Sequence, residues 1–231
     1  MGFSYAPPSA SGALVRTGEE RATLVRRVYA LLFTGILVTI AGALLAVTNQ
    51  AVLTGVLQHP IIMIILMFGT LFAVRGASRS FPANVGLLYL FNLIMGVWIA
   101  PVLLFYARAT PGVLAQAGIL TATAFGTLTI YAFVSRRDFS AWGSFFFVGL
   151  IVLLVTSLLN IFFHSNTLQT VIAGVGVLVF SGLLVFDTWR IRNSYAPDQY
   201  IPAALNLYLD VLNLFLFILQ LLGGGGGRRR G

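Results

Sequence analysis

Long apolar runs separated by short polar connections are the feature that most constrains the fold of this chain. A helix that crosses a membrane needs about 20 mostly apolar residues, because each residue rises about 1.5 Å and the hydrocarbon core is about 30 Å thick. The sequence contains seven runs that meet this requirement, at about 28–48, 59–75, 84–106, 112–134, 141–163, 169–190 and 201–222. The sequence therefore predicts an all-α integral membrane protein, a bundle of seven transmembrane helices.

The segments outside the runs predict the domain organisation. Residues 1–27 are small, polar and charged, without the order of regions typical of a cleaved signal peptide, so we predict a flexible cytoplasmic tail. Residues 28–222 form the seven-helix transmembrane domain, and residues 223–231 form a tail of glycine and arginine. The connections between runs are short and rich in turn residues, and no internal repeat is visible, which favours one bundle.

The placement of arginine predicts the orientation of the bundle. Ten of the fourteen arginines lie in the N-terminal tail and in the connections that follow the second, fourth and sixth runs, whereas the opposite connections contain only Arg108. Positively charged short loops stay in the cytoplasm, so we predict a cytoplasmic N-terminus. Seven spans then place the three arginines of the C-terminal tail on the far side, against this rule. The alternative is a re-entrant seventh segment, which returns the tail to the cytoplasm.

Composition excludes several classes of function. The chain has no cysteine and no lysine, which excludes disulfides, thiolate chemistry and an internal Schiff base such as that of a retinal protein. The net charge of +8 comes from short arginine clusters rather than one basic face, so no nucleic-acid partner is expected. His59 and His164 have no acidic or serine partner at the spacing of a metalloprotease or serine hydrolase. No tightly bound cofactor is expected.

Two acidic residues within apolar runs require an explanation. Asp187 lies near the end of the sixth run, and Asp210 lies ten residues into the seventh. A charge at such depth costs about 2.5 kcal/mol or more, and it commonly marks a cavity or a pathway. Counted from the turn between the two helices, Asp187 lies about 9 Å and Asp210 about 12 Å along antiparallel helices. The sequence therefore predicts that the two side chains face one another.

Two facing carboxyl groups have a distinctive chemistry. They cannot both ionise at low cost and would share a proton, so the pair is predicted to respond to pH. When both are ionised, Asp187 and Asp210 are candidate metal ligands for a hard cation such as Ca²⁺, transported or transiently bound. Arg75 ends the second run at the same depth and is a candidate counter-charge, which would form a latch with Asp187. Arg190, three residues after Asp187, competes for the same carboxylate.

A polar stripe on the seventh run offers a second clue. Asn206, Asp210, Asn213 and Gln220 recur at spacings of four, three and seven residues, which keep them on one face of a helix. One interpretation is a narrow polar path, with the seventh helix at the centre of the bundle. The other is hydrogen bonding between helices, worth about 0.6 kcal/mol for each contact. The sequence leaves both interpretations open.

Two motifs resemble a known family. FSGLLVFDTWRI at 180–191 and AALNLYLDVLNLFLFILQLLGG at 203–224 are similar to the signature end of the Bax inhibitor-1 family, the transmembrane Bax-inhibitor-motif proteins, in a bacterial version. The resemblance implies a seven-helix fold with a central seventh helix and a pH-sensitive calcium leak controlled by an aspartate pair. These roles carry over onto Asp187 and Asp210, with Arg75 as the arginine partner. A bacterial member is expected in the inner (plasma) membrane.

Three functions compete at this point. The first is a pH-sensitive leak channel or transporter for Ca²⁺ or another cation, whose partners are the lipid bilayer, Ca²⁺ and H⁺. The second is an intramembrane aspartyl protease, but neither aspartate follows the Gly-x-Gly that such proteases show, so we expect no enzymatic activity. The third is a non-enzymatic partner of another membrane protein, which regulates a membrane protease or a stress response. Some bacterial relatives resemble regulators of this kind.

Overall fold

The computed structural model describes residues 18–224 of the chain. Their regular secondary structure consists of α-helices, and no strand occurs in this part of the chain. The eight helices are α1 (Gly18–Thr48), α2 (Gln50–Gln58), α3 (Pro60–Gly76), α4 (Ala83–Ala109), α5 (Val113–Val134), α6 (Trp142–Phe163), α7 (Asn166–Asn193) and α8 (Tyr200–Gly224). The predicted all-α class is confirmed.

Within residues 18–224, six helices are long and apolar enough to cross a membrane, namely α1, α4, α5, α6, α7 and α8. They coincide with six of the seven predicted runs. The remaining run corresponds to α3, whose 17 residues form a rod of about 26 Å, slightly shorter than the hydrocarbon core. α3 meets the short α2 at an angle of 93°, and the bent pair together passes the same test of length and composition.

α1 begins earlier than predicted. Residues 18–27 were predicted to belong to a flexible tail, yet they form the first turns of α1. Leu24 is buried in the core of the bundle, and this burial holds the first turns in place. Glu19 and Glu20 lie in the first turn, where a negative charge stabilises the positive end of the helix dipole.

The predicted tails lie largely outside the described residues, because the structure does not describe residues 1–17 or 225–231. Gly223 and Gly224, which were predicted to open the C-terminal tail, are instead the last residues of α8.

The bend between α1 and α3 was not predicted. The side-chain oxygen of Asn49 accepts hydrogen bonds from the N–H groups of Ala51 and Val52 at 3.0 and 3.4 Å, which caps the N-terminus of α2. Pro60 occupies the first turn of α3, where a helix requires no N–H donor. The cap and the proline divide the chain into two helices with different directions.

Small residues allow the helices to approach closely. A Cβ atom at Gly96 of α4 would overlap the carbonyl oxygen of Thr39, and one at Gly42 of α1 would overlap the carbonyl oxygen of Leu93. α1 and α4 therefore pack backbone against backbone, as small residues permit in membrane helices. α8 packs against α1, α4, α5 and α7 and buries twelve of its residues.

Polar contacts gather several helix ends at one end of the bundle, which we call the arginine-rich end. Arg79, after α3, forms an ion pair with Asp198 in the turn between α7 and α8, with 3.3 Å between Nε and Oδ2. Asn84 at the start of α4 donates a hydrogen bond to the Tyr200 hydroxyl at 3.2 Å. The guanidinium of Arg27 in α1 lies 5.6 Å from the centre of the Tyr200 ring. The starts of α1, α4 and α8 therefore share this end.

Arg192 brings the end of α5 to the same place. Its Nη1 donates hydrogen bonds to the carbonyl oxygens of Ala132, Phe133 and Ser135. The last carbonyl groups of a helix have no partner within the helix, so a cation there satisfies them and complements the helix dipole. Arg192 thus fixes α7 against the C-terminus of α5.

Candidate functional site: a buried aspartate pair

Asp187 of α7 and Asp210 of α8 meet inside the bundle near the arginine-rich end. They are 6% and 5% exposed, respectively. α7 and α8 are antiparallel helices joined by a short turn, so residues at similar distances from the turn lie opposite one another. The two carboxyl groups are within hydrogen-bonding reach of each other. The structure therefore brings together the two aspartates that the sequence analysis singled out.

Arg190 supplies the counter-charge. Its Nη1 donates a hydrogen bond to Oδ1 of Asp187 at 2.9 Å, which is also an ion pair. The two residues are three positions apart, a spacing that places both side chains on one face of α7. The Asp187 side chain is 8% exposed and the Arg190 side chain 33% exposed, so the ion pair extends from the buried aspartates toward the surface.

Asp210 has few hydrogen-bond partners other than Asp187. Its Oδ2 is buried and receives no hydrogen bond from an N–H group or a hydroxyl among the described residues. A buried carboxylate without a donor carries a large free-energy cost. A proton held between the two carboxyl groups removes one negative charge and provides one hydrogen bond. With one proton between them, the pair would carry a single negative charge, which Arg190 is placed to balance.

Arg75 lies away from the pair. It is exposed in the last turn of α3, and this helix packs against α2 and α4 rather than against α7. Asp187 already has an arginine one turn further along its own helix. In this structure the Asp187–Arg190 ion pair takes the place of the predicted Arg75–Asp187 latch.

Tyr195 covers Arg190 from the side of the turn. The Arg190 guanidinium carbon lies 4.5 Å from the centre of the Tyr195 ring and 5.4 Å from that of Phe186, distances at which a cation is attracted to an aromatic face. The Tyr195 hydroxyl accepts a hydrogen bond from Nδ2 of Asn206 at 2.9 Å. We call Asp187, Asp210, Arg190, Tyr195 and Asn206 the polar cluster. The sequence offered Arg190 as the alternative partner of Asp187, whereas Tyr195 was assigned no site role.

The titration of Tyr195 lies outside the physiological range. The side chain is buried, and this burial, together with the negative charge of Asp187, raises the pKa of Tyr195 to about 12. The phenol is therefore neutral at any pH near 7, and it serves as a hydrogen-bond acceptor and an aromatic surface. A response of the polar cluster to pH near neutrality must come from its carboxyl groups.

The polar stripe of α8 is divided in the structure. Asn206 belongs to the polar cluster, whereas Nδ2 of Asn213 donates a hydrogen bond to the carbonyl oxygen of Leu209 on its own helix at 2.8 Å. Asn213 also lines a cavity of about 250 Å³ between α6, α7 and α8. Gln220 is half-buried nearer the opposite end. These three side chains form no hydrogen bonds with one another within the described residues.

The polar cluster offers only a few oxygen ligands to a cation. The described residues contain no group of three or more histidine, cysteine, aspartate or glutamate side chains that would hold a metal ion. Ca²⁺ requires six to eight oxygen ligands, and Asp187 and Asp210 offer four carboxylate oxygens at most. A Ca²⁺ ion at the pair would therefore retain part of its water shell.

The fold and the polar cluster define a class: helical proteins that span a membrane several times and enclose an acidic pair near one end. A family model described as "Inhibitor of apoptosis-promoting Bax1" matches residues 21–227. The chain is 34% identical to Protein lifeguard 4 of Mus musculus over 223 residues. These residues are 95% of this chain and 91% of that protein. The chain belongs to the Bax inhibitor-1 family, as the sequence motifs indicated.

Relatives from a fungus and a bacterium support the same assignment. Bax inhibitor 1 of Schizosaccharomyces pombe is 34% identical over 207 residues, which are 88% of this chain and 77% of that protein. A protein of Vibrio cholerae named only as a membrane protein is 35% identical over 218 residues, 92% of this chain and 94% of that protein. The similarity therefore extends over most of the chain in each case.

Proposed function

We propose that the protein is a pH-sensitive leak channel or transporter for Ca²⁺ or a similar hard cation, gated by the proton that Asp187 and Asp210 share. The observation that carries this proposal is the buried contact between the two carboxyl groups, with Arg190 paired to one of them. Ionisable groups within a membrane protein are costly and commonly mark the path of an ion or a proton.

The proton content of the pair sets the charge at the gate. With one proton the pair carries one negative charge, which Arg190 balances. Loss of that proton leaves Asp210 as a second carboxylate with no cation of its own, and gain of another proton releases Arg190 from Asp187. Either change alters the contact between α7 and α8, so flux through the gate depends on pH.

The proposed architecture has seven spans with α8 as the central helix. Arg27 of α1 and Asn84 of α4 both contact Tyr200, so the chain that reaches the opposite end at Thr48 must return before Asn84. α2 and α3 are the segments available for this return. The four helices that pack around α8 support its central position. With the arginine-rich end in the cytoplasm, the protein lies in a bacterial inner membrane with a cytoplasmic N-terminus.

We assign no enzymatic role to the pair. Hydrolysis by two aspartates requires a water molecule held between them by one neutral and one charged carboxyl group. In the polar cluster, the carboxylate of Asp187 instead binds Arg190. We therefore expect no cleavage of membrane-embedded peptides by the purified protein.

The test of the proposed function is Ca²⁺ flux into proteoliposomes of the purified protein, measured from pH 5 to 9. The native chain is expected to show flux that depends on pH, and Asp187→Asn and Asp210→Asn are each expected to abolish the dependence. Asp138→Asn is a matched control because it makes the same change at an exposed carboxylate in the connection between α5 and α6, away from the polar cluster. It is expected to leave the pH profile unchanged.

One result would contradict the leak. If folded protein gives no flux above that of empty liposomes at any pH, conduction is not an activity of the isolated chain. The remaining proposal is then a non-enzymatic regulator of another membrane protein, such as a membrane protease.

A further inference from the structure

An apolar cavity of about 570 Å³ lies between α1, α4, α5 and α8. Its lining is hydrocarbon except for the side chains of Thr39, Thr121 and Tyr208. The volume falls within the range of about 300–1,000 Å³ that is typical of sites for small molecules. An apolar cavity of this kind does not retain water, so an apolar occupant is favoured.

The polar groups in the lining are already hydrogen-bonded. The hydroxyls of Thr39 and Tyr208 bond to each other at 2.7 Å, and the Thr39 oxygen is also within 3.1 Å of backbone carbonyl oxygens. Thr121 donates to the carbonyl oxygen of Ala117 at 2.7 Å. The cavity therefore presents no free donor to a polar ligand, and it suits a hydrocarbon chain rather than a headgroup.

The cavity opens sideways between α1 and α5. Toward the arginine-rich end these helices meet through the rings of Phe33 and Phe125, whose centres are 6.1 Å apart. Beyond this contact the cavity separates them. Ile40 and Leu44, on the α1 side of the cavity, are 50% and 58% exposed. Because both helices are long enough to span a membrane, this opening faces the hydrocarbon of the bilayer.

We propose that the cavity is a binding site for one acyl chain of a membrane phospholipid. The chain enters between α1 and α5, and its headgroup stays at the membrane surface opposite the arginine-rich end. Inside, it contacts Tyr208 and Val211, the lining residues on either side of Asp210 in α8. This inference rests on the shape and chemistry of the cavity and does not depend on the proposed leak.

Gly118 of α5 allows the cavity to be filled without disturbing the packing. It lines the cavity, and a Cβ atom built there meets no atom within 4 Å. Gly118→Trp therefore directs an indole ring into the space that the acyl chain would occupy. Gly126→Trp is the matched control, because Gly126 lies on the same helix, has equally free space at its Cβ and does not line the cavity.

The experiment uses nanodiscs that contain the full chain and phosphatidylcholine with a photoreactive diazirine on its acyl chain. Cross-linked residues are identified by mass spectrometry. We expect labelling of Val211 and Leu212, which are only 9% and 8% exposed and which lipids around the outside of the protein do not reach. Labelling of exposed Phe162 on α6 reports the surrounding lipid and serves as an internal standard.

The variants decide the outcome. Gly118→Trp is expected to reduce labelling of α8 several-fold relative to α6, and Gly126→Trp is expected to leave the ratio unchanged. Ala122→Phe fills the same cavity from one turn further along α5 and is the second filling variant if Gly118→Trp does not fold. The proposal is overturned if α8 is not labelled in the native protein, or if a folded filling variant and the control give the same ratio.

Discussion

At the scale of single residues, the chemistry of the site rests on an arginine whose position in sequence did not identify it uniquely. Arg75 and Arg190 lie at similar depth, and both were candidates for the carboxylate of Asp187. Sequence gives the distance of a residue from the end of its helix but not the neighbours of that helix. The structure shows α3 beside α4, which leaves Arg190 as the partner.

Arg190→Gln is expected to move the midpoint of the pH-dependent flux to higher pH. Removal of an adjacent cation disfavours the charged form of a carboxyl group, so a higher pH is needed to ionise the pair. One adjacent charge ordinarily moves the midpoint of a carboxyl titration by about one to three pH units. The partial exposure of the Arg190 side chain, 33%, favours the lower value. Flux measured in proteoliposomes across pH 5 to 9 gives the midpoint.

Arg75→Gln provides the comparison for this prediction. It removes the same charge from an exposed position outside the polar cluster. The midpoint of the pH-dependent flux is therefore expected to equal that of the native protein. A shift with Arg75→Gln and none with Arg190→Gln would instead favour the latch between Arg75 and Asp187.

At the scale of helices, apolar periodicity and buried charge were sufficient to locate the main features. The runs at 169–190 and 201–222 correspond to α7 and α8, and the two aspartates within them meet in the bundle. The early start of α1 was missed because its first turns carry charged residues on the surface, while Leu24 is buried. The mean hydropathy of this segment is lowered by its charged residues, so it does not reveal that one face of the helix is buried.

Close contacts between helices could not be predicted from the same patterns. A glycine in an apolar run can lie in open space or against a ring, and only the packing distinguishes the two cases. A Cβ atom at Gly182 of α7 would overlap the Phe146 ring of α6, whereas one at Gly174 of α7 meets no atom within 4 Å. The cavity beside Gly118 was equally invisible, because its lining resembles any other apolar surface.

Alanine substitutions at Gly182 and Gly174 are predicted to have different effects on stability. Gly182→Ala is expected to destabilise the protein by about 1–3 kcal/mol, the usual cost of overpacking, because the Phe146 ring, or α6 with it, must shift away from α7. Gly174→Ala is expected to leave stability unchanged or to raise it by about 0.4–1 kcal/mol, since alanine restricts the unfolded chain. Thermal unfolding of purified protein in one detergent, followed by circular dichroism, measures both. Equal transitions for the two variants would mean that α6 and α7 do not pack as described.

At the scale of the whole molecule, contacts at the arginine-rich end connect the turn between α7 and α8 to other helix ends. Tyr200 contacts α1 and α4, and Asp198 contacts Arg79 in the segment after α3. The polar cluster lies directly beneath this turn, since Tyr195 and Asn206 flank it. A movement of α8 that separates the aspartates therefore also disturbs these surface contacts, which favours a concerted change rather than a local one.

The number of spans is testable because the chain contains no cysteine. Single cysteines at Arg79, Arg108 and Gly231 are to be labelled in oriented vesicles with a maleimide that cannot cross the membrane. We expect Arg79→Cys to react only from the cytoplasmic side and Arg108→Cys only from the opposite side, because positively charged loops remain inside. With seven spans Gly231→Cys reacts from the same side as Arg108→Cys. Reaction from the side of Arg79→Cys would mean that an even number of crossings separates the two positions, and α8 would then be re-entrant.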